Sequence, residues 1–521
     1  MVSQTKSLAK NTIFLYLRMF VVLTVSLFTT RIILKNLGVE DYGIYNVVGS
    51  IVALFSFLQT AMASANYRYL AFAIGKEDKE QLSAIFKSAF IISFAIVLAI
   101  LLIGETLGLF YIYNYLNVPP ERWDASCIVY QISLVSCMIQ TMTMAYYSDV
   151  IAHEHMSFFA YLSFFESVLK ISIAILIVFS PIDRLVFYAS LILVSNMIIL
   201  ILYYIYCKRH FSETKHLLSN KVEPRLLREM MNFSGWTLFV TIADICVTTG
   251  INMMINSFFS AIVNAARGIA VQVQGAVDQF RGNLQTALNP QITKQYAAEN
   301  QEYMYKLMYA SSKFSTYILL LISLPIMFAA DYILNLWLVE VPPFTSVFLI
   351  YVLVACIIDG ISNPFVTAVG ATGRIRKFQT IVGVTKLLTI PLCYLFLQMG
   401  CNPETLFLIY MICTVCVVGT RIYIGARTVN LAMAKVYINI FRPIILVTVL
   451  CVVFVYGISF LQNNTFVVFL LYCVLSVCTM GAIIFCVGMN IDEKKYIIRK
   501  SKFPQNPKRS VRFSGKRTKR S

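Results

Sequence analysis

Uninterrupted apolar runs long enough to cross a bilayer recur from one end of this sequence to the other, separated by short polar breaks. A hydrocarbon core asks for roughly 20 apolar residues per helical crossing, and it admits only segments that satisfy their own backbone hydrogen bonds. The runs are continuous rather than alternating with period two, so they read as helices and not as barrel strands. With 59% of 521 residues apolar and 13% charged, no segment carries the polar surface of a soluble domain. The expected fold is all-α and polytopic, with about fourteen transmembrane helices at 11–34, 42–64, 84–109, 125–149, 158–180, 184–207, 233–257, 261–288, 314–334, 344–370, 378–398, 404–427, 440–461 and 465–489. The first run is too long for a signal-peptide core and lacks a small-residue cleavage pattern, so it reads as an uncleaved anchor.

Enzymatic chemistry finds little support. The 13 cysteines, an odd number, lie mostly inside apolar runs (Cys127, Cys246, Cys356, Cys451, Cys473), where thiols serve as small hydrophobes. Cys413 and Cys416 form a C-x-x-C within a span, with no second pair to complete a metal site. His153, His155, His210 and His216 fall in predicted cytoplasmic loops and read as solvated surface. No Walker A, H-E-x-x-H or zinc cluster occurs, so no catalytic residue, cofactor or metal is expected, and ATP-driven work would need a partner.

Charge orients the chain. Of the 43 Lys and Arg residues, 33 fall in or at the edges of the N-terminus, the even-numbered breaks and the tail, against four (Arg31, Lys35, Arg122, Arg184) in or at the edges of the odd-numbered breaks. Basic loops stay in the cytoplasm, so both termini are expected inside. Trp123, Trp236 and Trp337 fall at predicted span ends, as interfacial aromatics do. The tail from Lys494 to Arg520 carries twelve basic residues in a weakly hydrophobic stretch suited to anionic lipid headgroups rather than nucleic acid.

A weak internal repeat organises the spans. Leu58-Gln59-Thr60-Ala61 recurs as Leu284-Gln285-Thr286-Ala287, an offset of 226 that also aligns Ala71 with Ala297 and Lys87 with Lys313. Gly43-Ile44 matches Gly268-Ile269 one residue out of that register. Six spans return the chain to its starting side, so the copies must be parallel and could rock about a shared interface. The expected organisation is an N-lobe at 1–207, a basic cytoplasmic linker at 208–232, a C-lobe at 233–427, spans 13 and 14 within 428–490, and a basic tail at 491–521.

Six basic residues, Arg18, Lys170, Arg267, Arg281, Lys386 and Arg421, fall within predicted spans and away from their ends. Each costs about 2.5–3.5 kcal/mol or more at a helix centre on insertion scales, so they should avoid lipid. On span 8, Arg267, Gln274, Asp278, Arg281 and Gln285 share one helical face. Thr237, Thr241, Asp244 and Thr248 form a similar stripe on span 7, and Asp359, Asn363 and Thr367 on span 10. These stripes read as the lining of a hydrated cavity, with mutual pairing between packed helices as the alternative. Arg18, Arg267, Arg281, Lys170 and Lys386 are the candidate substrate-binding cations, with Asn11, Gln274, Gln285, Thr241, Thr248 and Asn363 as polar lining. Asp244, Asp278, Asp359 and Glu166 are candidates to carry coupling protons or sodium, or to neutralise the arginines. Cations in excess suit a phosphorylated or acidic solute, because Arg grips phosphate through a planar fork. Pro325, Pro364 and Pro391 mark expected bends.

The segments Leu37-Gly38-Val39-Glu40-Asp41-Tyr42-Gly43-Ile44-Tyr45, Ala266-Arg267-Gly268-Ile269-Ala270 and Ala287-Leu288-Asn289-Pro290-Gln291-Ile292-Thr293-Lys294-Gln295-Tyr296-Ala297 resemble those of Wzx-type oligosaccharide flippases. These belong to the multidrug/oligosaccharidyl-lipid/polysaccharide (MOP) exporter superfamily, alongside MATE exporters and lipid II flippases. The likeness covers about residues 5–490. It implies two six-helix lobes around a central cationic cavity, two extra helices, and alternating access. The implied substrate is an undecaprenyl-diphosphate-linked oligosaccharide repeat unit, moved to the outer leaflet for O-antigen or capsule assembly, with the polymerase and other assembly proteins as partners. Arg267 matches the family-like segment directly, whereas Arg18 and Arg281 are carried over by position in the expected cavity. A MATE-like small-molecule exporter remains the alternative, usually with twelve spans and a more acidic cavity. An outer-face polysaccharide polymerase or ligase fits less well, because its acceptor would need a long outer loop and the outer breaks here are short.

Overall fold

The computed structural model describes residues 55–115, 120–215, 223–259, 261–338, 341–460 and 465–490 without a break, together with 493–494 and short stretches between 14 and 52. Asn11, His216 and the tail from 495 onward lie outside the described residues. All regular structure among the described residues is helical. Among the described residues eleven helices are long and apolar enough to cross a membrane, and each overlaps one of the expected spans 3–7 and 9–14. Span 8 coincides with the 37-residue helix Ala261–Ala297, which is long enough but too polar by composition to be counted with them. This is a multi-pass membrane protein.

The described chain divides into two compact units, Met1–Ile440 and Phe441–Ser521. In the first, α1 (Ser56–Gly75), α2 (Lys79–Ile103), α3 (Leu109–Tyr115), α4 (Trp123–Ala152), α5 (Met156–Leu176) and α6 (Arg184–His210) form one bundle. The second bundle of that unit contains α7 (Pro224–Phe258), α8 (Ala261–Ala297), α9 (Gln301–Phe328), α10 (Ala330–Trp337), α11 (Thr345–Gly360), α12 (Asn363–Thr372), α13 (Arg376–Leu387), α14 (Thr389–Gln398) and α15 (Pro403–Thr428), followed by the short α16 (Met433–Val436). In the second unit α17 (Arg442–Ser459) packs against α18 (Phe466–Ile483).

Local chemistry sets many of these ends. Asp78, Asp183 and Asn300 cap α2, α6 and α9 by accepting bonds from backbone amides of the first turn. Proline opens α7, α12, α15 and α17, where its missing amide costs nothing. Lys208, Arg209 and His210 close α6, where the helix dipole favours cations. Pro364 and Pro391 coincide with breaks, between α11 and α12 and between α13 and α14, whereas Pro325 lies inside α9 near its end. Pro290 sits inside α8.

The two bundles repeat one plan. In the first, α1 neighbours α2 and α4, α2 neighbours α4, and α4 neighbours α6. In the second, α8 neighbours α9 and α11, α9 neighbours α11, and α11 neighbours α15. The turns match in detail: Glu77 (φ 58°) precedes the cap Asp78, and Glu299 (φ 57°) precedes the cap Asn300. These turns correspond at an offset of 222, not the 226 of the sequence match. The four-residue difference is about one helical turn, so Ala71 and Ala297 share a face without being structural equivalents.

The bundles meet along α1, α7 and α8, with an apolar seam of Ala65, Phe233, Val369, Phe378 and Val417. Large side chains such as Leu102, Phe110 and Phe179 remain exposed on the outer surfaces, as lipid-facing helices require.

Candidate functional site

A cavity of about 330 Å³ lies among α7, α8, α11, α13, α14 and α15. Three cations, Arg281, Lys386 and Arg421, and three carboxylates, Asp244, Asp278 and Asp359, line it with Gln274, Asn363 and Tyr410. Arg281 reaches Asp278 along its own helix, Nε to Oδ1 at 2.6 Å and a terminal nitrogen to Oδ2 at 2.7 Å. It also donates across to Asp359 Oδ2 at 3.3 Å. Arg421 donates to the other oxygen of Asp359 at 2.7 Å and to Ser362 Oγ at 3.2 Å. Lys386 donates to Asp244. Asp359 thus accepts from two arginines on different helices, an arrangement that offsets the desolvation of each charge.

The fold explains how these groups converge. Asp359 stands at the end of α11, where the chain breaks before Pro364, and the Ser362 hydroxyl returns a 3.0 Å bond to the Asp359 carbonyl. A helix end leaves carbonyls unsatisfied and carries partial negative charge, so it draws the guanidinium groups. Gly360 gives Arg281 room: a Cβ there would meet Leu319 at 2.7 Å and the Arg281 stem at 3.5 Å. Lys386 likewise falls in the last turn of α13, before the break into α14.

The other expected site residues are distributed elsewhere. Arg267 is 6% exposed and joins α8 to α7, donating to the Asn252 side chain and, at 3.0 Å, to the Thr248 carbonyl. Gln285 is also buried, with its Nε2 lacking a described partner. Residues 267 and 285 lie about 27 Å apart along one helix, so a single polar face meets different neighbours at its two ends. Thr241 and Thr248 bond carbonyls of their own helix. Arg18 belongs to the first bundle, with its Nε donating to Ser163 Oγ at 2.7 Å and its guanidinium 4.3 Å from the Phe159 ring centroid. Glu166 and Lys170 pair with each other on α5 at 2.7 Å. Arg18, Arg267 and Arg281 therefore occupy three separate environments rather than one chamber, and the cavity around Arg281 has as many acids as bases.

Three basic residues acquire places that sequence reasoning did not assign. Arg421 was legible as a cation within a span, but only its approach to Asp359 makes it part of the cavity. Arg68 and Lys313, counted with the polar breaks, lie inside α1 and α9 and are 7% and 1% exposed. Arg68 donates to the carbonyls of Gly370 and Ala371, each at 2.9 Å, tying α1 to the end of α12. Near it, Glu154 accepts from Lys294 at 2.8 Å and from Gln291 at 3.1 Å. These bonds join the bundles at the end that carries the α1–α2, α4–α5, α8–α9 and α12–α13 turns, which are even-numbered breaks.

No family model and no curated protein matches the sequence. Solved structures do share the fold. A multidrug resistance MATE family transporter of the MOP superfamily, in an outward-facing conformation, superposes with a TM-score of 0.68 at 13% identity, covering 81% of this chain and 96% of that one. The Vibrio cholerae MATE transporter VcmN in its bent form gives 0.67 at 15% identity, covering 84% and 100%. A MOP superfamily transporter from Pyrococcus furiosus gives 0.68 at 13%, covering 81% and 96%. The chain is thus a multi-pass helical membrane protein with the MATE transporter fold.

Proposed function

We propose that this protein carries an anionic, lipid-linked solute across a bacterial inner membrane by alternating access of its two bundles. The solute is an undecaprenyl-diphosphate-linked oligosaccharide repeat unit, moved outward for surface polysaccharide such as O-antigen or capsule. The observation that carries this reading is the gathering of Arg281, Lys386 and Arg421 around one intramembrane cavity, each held by a carboxylate. A diphosphate presents to a guanidinium fork the kind of oxygen pair that Asp278 presents to Arg281, so it can replace a carboxylate as the arginines' partner. Protonation or sodium binding at Asp244, Asp278 or Asp359 would release those cations, coupling substrate entry to an ion. Both termini and the basic loops face the cytoplasm in this scheme, the basic tail rests on anionic lipids, and the polymerase and related assembly proteins receive the product.

The test is replacement of Arg281 and Arg421 by alanine in cells that depend on the protein for polysaccharide export. Surface polysaccharide should fall at least tenfold, with lipid-linked repeat units accumulating on the inner leaflet, and Arg281→Lys should restore only part of the loss. Unchanged export in the double variant would overturn the proposal. A second reading, a MATE-like small-molecule exporter, is supported by the three aspartates in the same cavity and by the fold shared with multidrug transporters. It predicts altered drug resistance in Asp278→Asn and Asp359→Asn cells with surface polysaccharide intact. For the Pyrococcus transporter, a reversed polarity of the binding pocket suggests a different function. Pocket charge is therefore the property on which the two readings divide.

A further inference from the structure

Asp149, His153 and Glu213 come together where α4 ends and the segment after α6 begins, away from the cavity described above. One potential ligand atom from each lies within 4.8 Å of the other two. The His153 ring is stacked on Phe211, with centroids 4.2 Å apart and planes at 11°, and its Nε2 stands 2.7 Å from Glu213 Oε1 and 3.7 Å from Asp149 Oδ1. Ser212 donates to the second oxygen of Glu213 at 3.2 Å. Asp149 is fully buried, and neither of its carboxylate oxygens has a hydrogen-bond partner among the described residues. A buried carboxylate aimed at a second carboxylate and an imidazole, with no donor of its own, calls for a cation between them.

We propose that Asp149, His153 and Glu213 form a binding site for a divalent transition-metal cation of the zinc class. Imidazole and carboxylate are both ligands for such an ion, and three protein ligands leave a fourth position for water. Ligands about 2.0 Å from zinc stand about 3.3 Å from one another in a tetrahedron, a spacing between the 2.7 Å and 3.7 Å that separate His153 Nε2 from Glu213 and from Asp149. The stacked Phe211 ring and the Ser212 hydroxyl hold the imidazole and Glu213 in place, as outer partners of metal ligands do. The metal would pin the α4–α5 turn to the start of the connection between bundles. Glu154, the next residue after His153, makes the bonds to Lys294 and Gln291 in the second bundle. The site lies apart from the substrate cavity, and its test does not depend on what is transported.

The test uses the full chain purified in detergent, stripped with a chelator and dialysed against Zn²⁺, with metal content measured by mass spectrometry. Wild type should retain about one equivalent, and Asp149→Asn and Glu213→Gln should bind at least tenfold more weakly. Zn²⁺ should raise the apparent Tm of the wild type and leave that of Asp149→Asn unchanged, while unliganded melting curves confirm that both variants fold. Equal metal content in all three proteins would mean an adventitious ion only, bound at exposed histidines such as His210, and would overturn the proposal. Absence of Zn²⁺ from the wild type, with a raised Tm for Asp149→Asn, would overturn it in favour of two carboxylates sharing a proton.

Discussion

Asp359 holds two cations, and the consequences of losing it follow from what is left behind. Removing its charge strands Arg281 and Arg421, whose side chains are 14% and 10% exposed. Breaking a buried pair by deleting one partner costs about 3–5 kcal/mol, and the partial exposure of Asp359 places this case toward the lower end. Asp359→Ala should therefore lower the apparent Tm in detergent clearly, and combining it with Arg421→Gln should recover part of the loss, because the stranded charge is then absent. Thermal unfolding of the two single variants and the double variant measures that coupling. At another site Asp183 accepts from the Leu185 and Val186 amides and, at 2.5 Å, from Arg122, which also pairs with Asp41. Burial pushes its carboxyl upward, but Arg122 and those amides outweigh burial and hold it below the usual carboxylate range. A depressed folded pKa stabilises above the unfolded value of about 3.9 and loses that contribution as pH falls through the folded value. The Tm difference between wild type and Asp183→Asn should thus be full near pH 6 and shrink as pH falls below about 3.9. Asp41 stands in one of the segments that resemble flippases, and here its visible role is to anchor Arg122.

Within single helices, departures from regular geometry are tied to specific side chains. After α2 the chain makes a π-helical turn at Gly104–Gly108, and the Tyr130 hydroxyl donates to the Gly104 carbonyl at 2.8 Å. A Cβ at Gly108 would lie 1.9 Å from that hydroxyl, so glycine is what allows α4 to approach. Gly108→Ala should destabilise by about 1–3 kcal/mol through overpacking, and Tyr130→Phe by about 1 kcal/mol through the lost bond. In the double variant the two costs should not add, since removing the hydroxyl relieves most of the clash; apparent Tm values decide this. Helices were the most legible part of this protein, because a 20-residue apolar run admits little else in a bilayer. Span 8 was legible too, but its role was not: its polar face is continuous in sequence, and only its neighbours decide that Asp278 and Arg281 line a cavity while Arg267 fastens α8 to α7.

At the scale of the whole molecule, the polar contacts that join the bundles among the described residues lie at one end, around Arg68, Glu154 and Lys294. Gly75 packs directly on α8, where a Cβ would come within 2.6 Å of the Lys294 carbonyl oxygen, 2.8 Å of its Cα and 2.9 Å of the Ala297 Cβ. Backbone atoms cannot turn aside as a flexible side chain does, so Gly75→Ala should prise α1 from α8 and lower the apparent Tm in detergent by overpacking. An unchanged Tm would show that the two helices do not pack this closely. Membrane residence and helical architecture were determined by sequence alone, because hydropathy and backbone hydrogen bonding act locally and leave few alternatives, whereas the repeat was legible only out of register, at an offset of 226 where the turns correspond at 222. Tertiary structure decided which buried charges meet: Arg421 joins Asp359 from 62 residues away, while Arg18 and Arg267 go elsewhere. No pattern along the chain encodes such a meeting, since the energy of a charge in the membrane depends on the partner that packing brings within reach.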